Sequence, residues 1–232
     1  MKTIGILGGM SAASTQLYYQ YLCEMTQSRL GGLHSPDLII RSVDFAEIEH
    51  LQMSNQWNRA GEILNHDAKR LEHAGADMII LATNTMHKLA ANIMQDVAIP
   101  FIHIATATAE AITAASYERP GLMATAFTME QTFYTDVLKD AGLTPVVPNP
   151  EDRAQTHRII YDELCKGVMH ETSRNTYIQI ADRLRKSGAD CLILGCTEVG
   201  MLLNPDNAPL PVFDTTRIHC EAALNFALDQ ST

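Results

Sequence analysis

Positive charge, long apolar runs and paired cysteines are all scarce in this sequence, and each shortage excludes something. Lysine and arginine total 17 against 27 aspartate and glutamate, a formal net charge of −10. Nucleic acid and anionic membrane surfaces both demand a basic footprint, so neither is expected as a partner. No apolar run reaches the roughly 18–20 residues of a membrane span. The opening MKTIGILGGMSAAS places Lys2 before an apolar stretch, but Gly5, Gly8 and Gly9 break it short of a secretion signal. The cysteines (Cys23, Cys165, Cys191, Cys196, Cys220) are odd in number, irregularly spaced and without a CxxC pair. That argues against a disulfide framework and points to a reduced, cytoplasmic setting. Nine histidines show no HExxH or paired spacing, so no metal site is expected. GILGGM is neither GxGxxG nor a P-loop, which leaves no nucleotide site; Gly8 and Gly9 would still let backbone approach a ligand.

What is present is an ordinary globular composition, 46 % apolar and 19 % charged over 232 residues, enough for one large domain or two small ones. Short β-branched runs alternate with helix-period segments, the pattern of βαβ units around parallel sheets. Strands are expected at 3–8, 37–43, 77–82, 101–104, 121–125, 144–147, 191–194 and 212–214. The runs at 78–81 and 192–194 are continuously apolar, as in strands covered on both faces. Leu64, Ala68 and Leu71 recur at near-helical spacing before Gly75.

The chain also repeats itself. GADMIILATNT (75–85) resembles GADCLILGCTE (188–198), and Leu64, Ala68 and Leu71 fall on Tyr177, Ala181 and Leu184. GILG (5–8) falls on GLMA (121–124), and PFIHIATATAEA (100–111) on PVFDTTRIHCEA (211–222). Matches in the same order at near-constant separation suggest two pseudo-symmetric α/β halves. The competing reading is that GAD before an apolar run is a common helix-to-strand turn met twice by chance. If the duplication is real, the expected domains are 1–98 plus 210–232, and 99–209. Each would hold a mostly parallel sheet flanked by helices, with a cleft between them at the carboxyl ends of the strands, where such sheets bind ligands. Thr83 would then stand opposite Cys196, the arrangement that inversion at a carbon centre requires.

The segments GILGGMSAAST (5–15), LGGLHSPDL (30–38), SVDFAEIEHLQ (42–52), ATNTMHK (82–88), FTMEQTFY (127–134), LGCTEVG (194–200) and PVFDTTRIH (211–219) resemble the cofactor-independent aspartate/glutamate racemase family. The resemblance implies two α/β domains with the site between them, a homodimer, a small amino-acid substrate, and no cofactor. It also implies two catalytic cysteines in C-T-N-T and G-C-T-E motifs. The second motif is intact as Gly195-Cys196-Thr197-Glu198; in the first, Thr83 stands where the family has cysteine. Ala12-Ala13 replace a common Trp-Glu pair and Ala124 replaces a glycine, changes that bear on pocket shape or packing.

Proton removal from an α-carbon suits a thiolate, whose pKa of ~8.5 can fall at a helix N-terminus or beside a cation. Cys196, between a strand and Thr197-Glu198, is the candidate base, and the resemblance implies that it serves the L isomer and the first-half position the D isomer; its alternative is a small buried hydrophobe. Thr83 cannot hold a resting alkoxide at neutral pH but can donate or relay a proton to the opposite face. The resemblance places Asn84, Thr85, Thr125 and Thr197 on the substrate, with strand-end capping the alternative for the threonines. It also implies that Lys166 in DELCKG pairs the distal carboxylate, unless it is an exposed helix-end lysine. Met10 and Gln52 would line the pocket, Met10 being equally suited to the core. A racemase of aspartate and glutamate is the first reading; a single-cysteine decarboxylase of the same superfamily and a non-catalytic amino-acid-binding protein are the alternatives.

Overall fold

The computed structural model describes residues 1–229. The chain runs β1 (Ile4–Gly8), α1 (Ala12–Leu30), β2 (Leu38–Ser42), α2 (Phe45–Met53), α3 (Trp57–His73), β3 (Met78–Leu81), a 3-10 turn (Thr85–Leu89), α4 (Ala90–Ile93), β4 (Phe101–Ile102) and α5 (Ile104–Ala114). It continues through β5 (Pro120–Ala124), α6 (Ala126–Glu130), α7 (Thr132–Asp140), α8 (Pro150–Asp162), a 3-10 turn (Leu164–Lys166), α9 (Glu171–Lys186) and β6 (Cys191–Gly195). A 3-10 turn (Thr197–Met201), β7 (Val212–Asp214) and α10 (Thr215–Leu228) complete it. Two all-parallel sheets result, ordered β2-β1-β3-β4 and β5-β6-β7. Helix starts follow local chemistry: Ser11 caps α1 through Ser14 N–H, Asp44 caps α2 through Ala46 N–H, and Asn149 with Pro150 opens α8.

The repeat in the sequence is a repeat in strand register. Gly5 pairs with Ile79 and Gly121 with Leu192; Ile79 pairs with Phe101 and Leu192 with Val212. The GAD aspartates do the same work in both halves. Asp77 exchanges bonds with Thr3, its carboxylate accepting from Thr3 N–H at 2.6 Å and its own N–H reaching Thr3 C=O at 2.9 Å. Asp190 accepts from Glu118 N–H (2.8 Å) and Arg119 N–H (3.0 Å) and donates to Arg119 C=O (3.0 Å). The alanine of each motif packs where β1 or β5 carries glycine: a Cβ on Gly5 would meet Ala76 Cβ at 2.9 Å, and one on Gly121 would meet Ala189 Cβ at 3.2 Å. A chance recurrence of one turn would not reproduce the pairing of three strands.

Each sheet has its own core. In the first, Ile4, Ile6, Met78 and Ile80 pack with Tyr18 and Leu22 of α1 and Cys220, Ala223, Leu224 and Ala227 of α10. In the second, Met123, Leu192 and Leu194 pack with Ile159 and Ile160 of α8 and Tyr177, Ile180, Ala181 and Leu184 of α9. These cores define two compact units, residues 1–104 with the described residues from His219 onward, and 105–218. The boundaries differ from those expected at 98/99 and 209/210. β4 hydrogen-bonds to β3 and β7 to β6, so each strand stays with its sheet, and the chain changes unit only through α5 and α10. Two strand expectations also change. Ile104 opens α5 rather than closing β4, and 144–147 contributes only a bridge between Val146 and Gly121.

Candidate active site

The residues singled out from the sequence fall at the carboxyl ends of the parallel strands, in one group per unit. In the first unit the pairing runs one residue past β3, with Ala82 N–H donating to Leu7 C=O at 2.9 Å. Ser14 Oγ of α1 donates to Ala82 C=O at 2.9 Å, fixing the point where the chain leaves the sheet. Thr83 follows, half-buried, then Asn84 and Thr85, both buried, where the 3-10 turn begins. Met10 lies beyond the end of the neighbouring β1 and is buried with the core residues. Gln52 is buried on α2, its Nε2 2.9 Å from Met86 Sδ in the same turn as Thr85. Gly8 and Gly9 stand where the fold leaves no room for a side chain. A Cβ on Gly8 would lie 2.5 Å from Thr15 Oγ1, and one on Gly9 would lie 2.3 Å from Val43 C=O.

His87, within that turn, holds the loop. Its Nδ1 is 2.7 Å from Thr83 C=O, which can only accept, and its Nε2 is 3.2 Å from Ile104 N–H, which can only donate. The ring is therefore the neutral Nδ1–H tautomer. Burial holds its pKa well below the usual histidine value, and His103 and His219 lower it further, against the bonds to the backbone of Thr83 and Asn84. His219 is neutral for the same reason, pushed down to about 4 mainly by burial. It donates from Nε2 to Ile102 C=O (2.7 Å) and accepts at Nδ1 from Tyr18 Oη (2.8 Å).

In the second unit, Ala124 and Gly195 pair at the ends of β5 and β6, so Thr125 and Cys196 leave the sheet side by side. The Thr125 hydroxyl caps α6, with Thr128 N–H at 3.4 Å, so the capping role is realised. Cys196 Sγ donates to Glu198 Oε2 at 3.0 Å, and the carboxylate is 3 % exposed. The low-pKa thiolate expected from a helix N-terminus is not what this arrangement produces. Only a five-residue 3-10 turn follows Cys196, and burial, then the Glu198 and Cys165 charges, drive the thiol pKa well above its ordinary value. The resting group is a thiol hydrogen-bonded to a carboxylate. Thr197 is buried beside it. Lys166 is exposed on its own turn, which packs against the turn 197–201, and its charge acts on the neighbouring Cys165. Burial and Glu198 nonetheless push the Cys165 thiol up to about 12.

The structure thus assembles Met10, Gln52, Thr83, Asn84 and Thr85 in the first unit, and Thr125, Lys166, Cys196 and Thr197 in the second. Sequence reasoning passed over Glu198 and His87. Both lie inside the motifs already recognised, two residues after Cys196 and four after Thr83, and their roles follow from bonds that one-dimensional spacing does not display. Among the described residues no grouping of three or more His, Cys, Asp or Glu is placed to hold a metal ion, and no helix is long and apolar enough to cross a membrane.

Known proteins give this geometry its context. The model of the Asp/Glu/Hydantoin racemase family matches residues 7–223. The broad specificity amino-acid racemase RacX of Bacillus subtilis is 24 % identical over 223 residues, 92 % of each chain. Among solved structures, one from Yersinia pestis with a provisional Asp/Glu racemase assignment is 44 % identical, with a TM-score of 0.91 over 99 % of this chain and 100 % of that one. An aspartate racemase homologue from Pyrococcus horikoshii is 33 % identical, with a TM-score of 0.86 over the same shares. With the family model spanning both sheets and both loops, the chain belongs to the Asp/Glu/Hydantoin racemase family.

Proposed function

We propose that the protein racemises aspartate and glutamate without pyridoxal phosphate, Cys196 serving the L isomer and Thr83, alone or through water, serving the opposite face. Membership of a racemase family supports the reaction class. The observation that carries the residue assignment is the Cys196 thiol bonded to the buried carboxylate of Glu198 at 3.0 Å. A protonated thiol is no base, but this one has its acceptor in place. Glu198 takes the Sγ proton and the resulting thiolate removes the α-proton of the L isomer, its electron pair remaining on carbon. The bound substrate's ammonium group favours that anionic state by its charge. Thr83 or a water it holds then gives a proton to the carbanion from the other side, and solvent restores the proton to that group. The Glu198 proton returns to solvent, so the cycle leaves the protein unchanged.

Asn84, Thr85, Thr125 and Thr197 supply polar groups for the α-carboxylate and ammonium. Lys166, exposed and near the 197–201 turn, supplies a cation for the distal carboxylate, which favours dicarboxylic over neutral substrates. Aspartate and glutamate differ by one methylene, worth only ~1–3 kcal/mol of discrimination, and both fit the reading. Enantiomers have equal free energy in water, so kcat/KM must be equal in the two directions. An apparent L preference therefore reflects saturation or one-faced exchange, never one-way racemisation.

The test is incubation with each isomer of aspartate and glutamate in deuterated buffer without added cofactor, following α-proton loss and enantiomer ratio together. Exchange with inversion is expected. Exchange of the L isomer without inversion would remove Thr83 from the mechanism, and silence with all four substrates would overturn the reading.

A further inference from the structure

His87 makes two contacts that the proposed reaction does not itself use. Its ring is 3 % exposed, and it joins the carbonyl of Thr83 (2.7 Å) to the first amide of α5, Ile104 N–H (3.2 Å). Around it stand Phe101, His103 and His219, with ring centroids 5.4, 4.6 and 5.7 Å away. The same loop is also tied at Ala82, through Ser14 Oγ and the Leu7 carbonyl, and at Met86, through Gln52 Nε2. His87 acts on the Thr83 carbonyl itself. On the other loop the Cys196 side chain itself is held by Glu198.

Resting on the racemase reading, we infer that His87 is a positioning residue for Thr83: its Nδ1–H holds the Thr83 carbonyl and so sets how the carbanion divides between inversion and return. The carbanion formed from the L isomer has two fates. Reprotonation by Cys196, once its Sγ has traded the abstracted proton for solvent deuterium, gives exchange without inversion; protonation from the Thr83 side gives the D isomer. A displaced Thr83 slows only the second, so the ratio of inversion to L-side exchange reports its position while differences in binding and in folded fraction cancel.

The experiment compares His87→Asn with His87→Gln. The asparagine amide N–H falls near the Nδ1 position and can still reach Thr83, whereas glutamine extends to the Nε2 position and serves Ile104 instead. With L-aspartate in deuterated buffer, His87→Gln is expected to lower the ratio of inversion to exchange by about 100-fold, the cost of a misplacement near 1 Å. His87→Asn should keep the ratio near that of the wild type. A second readout does not depend on turnover. Amide hydrogen exchange over 84–87 should quicken about tenfold in His87→Gln, one hydrogen bond's worth, and not in His87→Asn, with 197–199 unchanged in both. Equal falls in both variants, or an unchanged ratio in His87→Gln, would overturn the assignment. If the wild type neither exchanges nor inverts any substrate, the racemase reading fails. Amide exchange over 84–87 then decides whether His87 positions the loop.

Discussion

The loops after β3 and β6 share a scaffold and differ in chemistry. Both follow a GAD turn, both leave the middle of a parallel sheet, and the strands beneath them pair in the same register. Yet at Thr83 the structure grips the backbone, through the neutral His87 ring, whereas at Cys196 it grips the side-chain sulfur, through Glu198. A hydroxyl that donates or relays a proton needs to be placed. On the proposed mechanism a half-buried thiol must become a base, and it needs an acceptor for its own proton. The two positions are equivalent in strand register and differ in what holds them.

That contrast breaks first at the reactive atoms. Cys196→Ser leaves a hydroxyl too weakly acidic to serve as base, and L-side α-proton exchange should fall by roughly 10³-fold or more, read by proton NMR in deuterated buffer. Thr83→Cys should instead raise turnover of the D isomer. Undiminished turnover in Cys196→Ser would place the chemistry elsewhere.

The two units should also respond differently to acid. His87 and His219 are buried neutral in the first unit, so between about pH 6.5 and about pH 4 the unfolded chain binds protons that the folded chain refuses. Stability therefore falls as pH drops through that window, by about 3 kcal/mol from His219 alone. In the second unit His157 shifts in the same direction but is only partly buried. Amide exchange compared at pH 7 and pH 5 should show β1 and β3 losing protection before β5 and β6.

The smallest effect tests the shared scaffold. A methyl on Gly5 would sit 2.9 Å from Ala76 Cβ and 3.0 Å from the Met78 carbonyl, and the backbone cannot swing away. A methyl on Gly121 meets Leu192 Cδ2 at 3.1 Å and Leu184 Cδ1 at 3.2 Å, ends of flexible side chains, besides Ala189 Cβ. Gly5→Ala should cost about 2 kcal/mol and Gly121→Ala about 1 kcal/mol, measured by urea unfolding.

The sequence by itself determined the α/β class, the repeat and all seven strands that pair, with an eighth at 144–147 that the structure reduces to a bridge, and it singled out the two loops proposed to carry the site. Buried parallel strands are apolar runs, their turns need glycine and aspartate at fixed places, and such signals are local enough to read along the chain. Tertiary structure decided the rest. Strand pairing moved the domain boundaries, because only a hydrogen-bonded partner says which sheet β4 and β7 join. Burial made Cys196 a thiol where the motif suggested a thiolate, because a pKa is set by the solvent excluded and the charges nearby. The clamp of His87 on Thr83 and Ile104 depended on the fold bringing β4 beside β3, since that pairing delivers the start of α5 to a ring that lies 17 positions away in the chain.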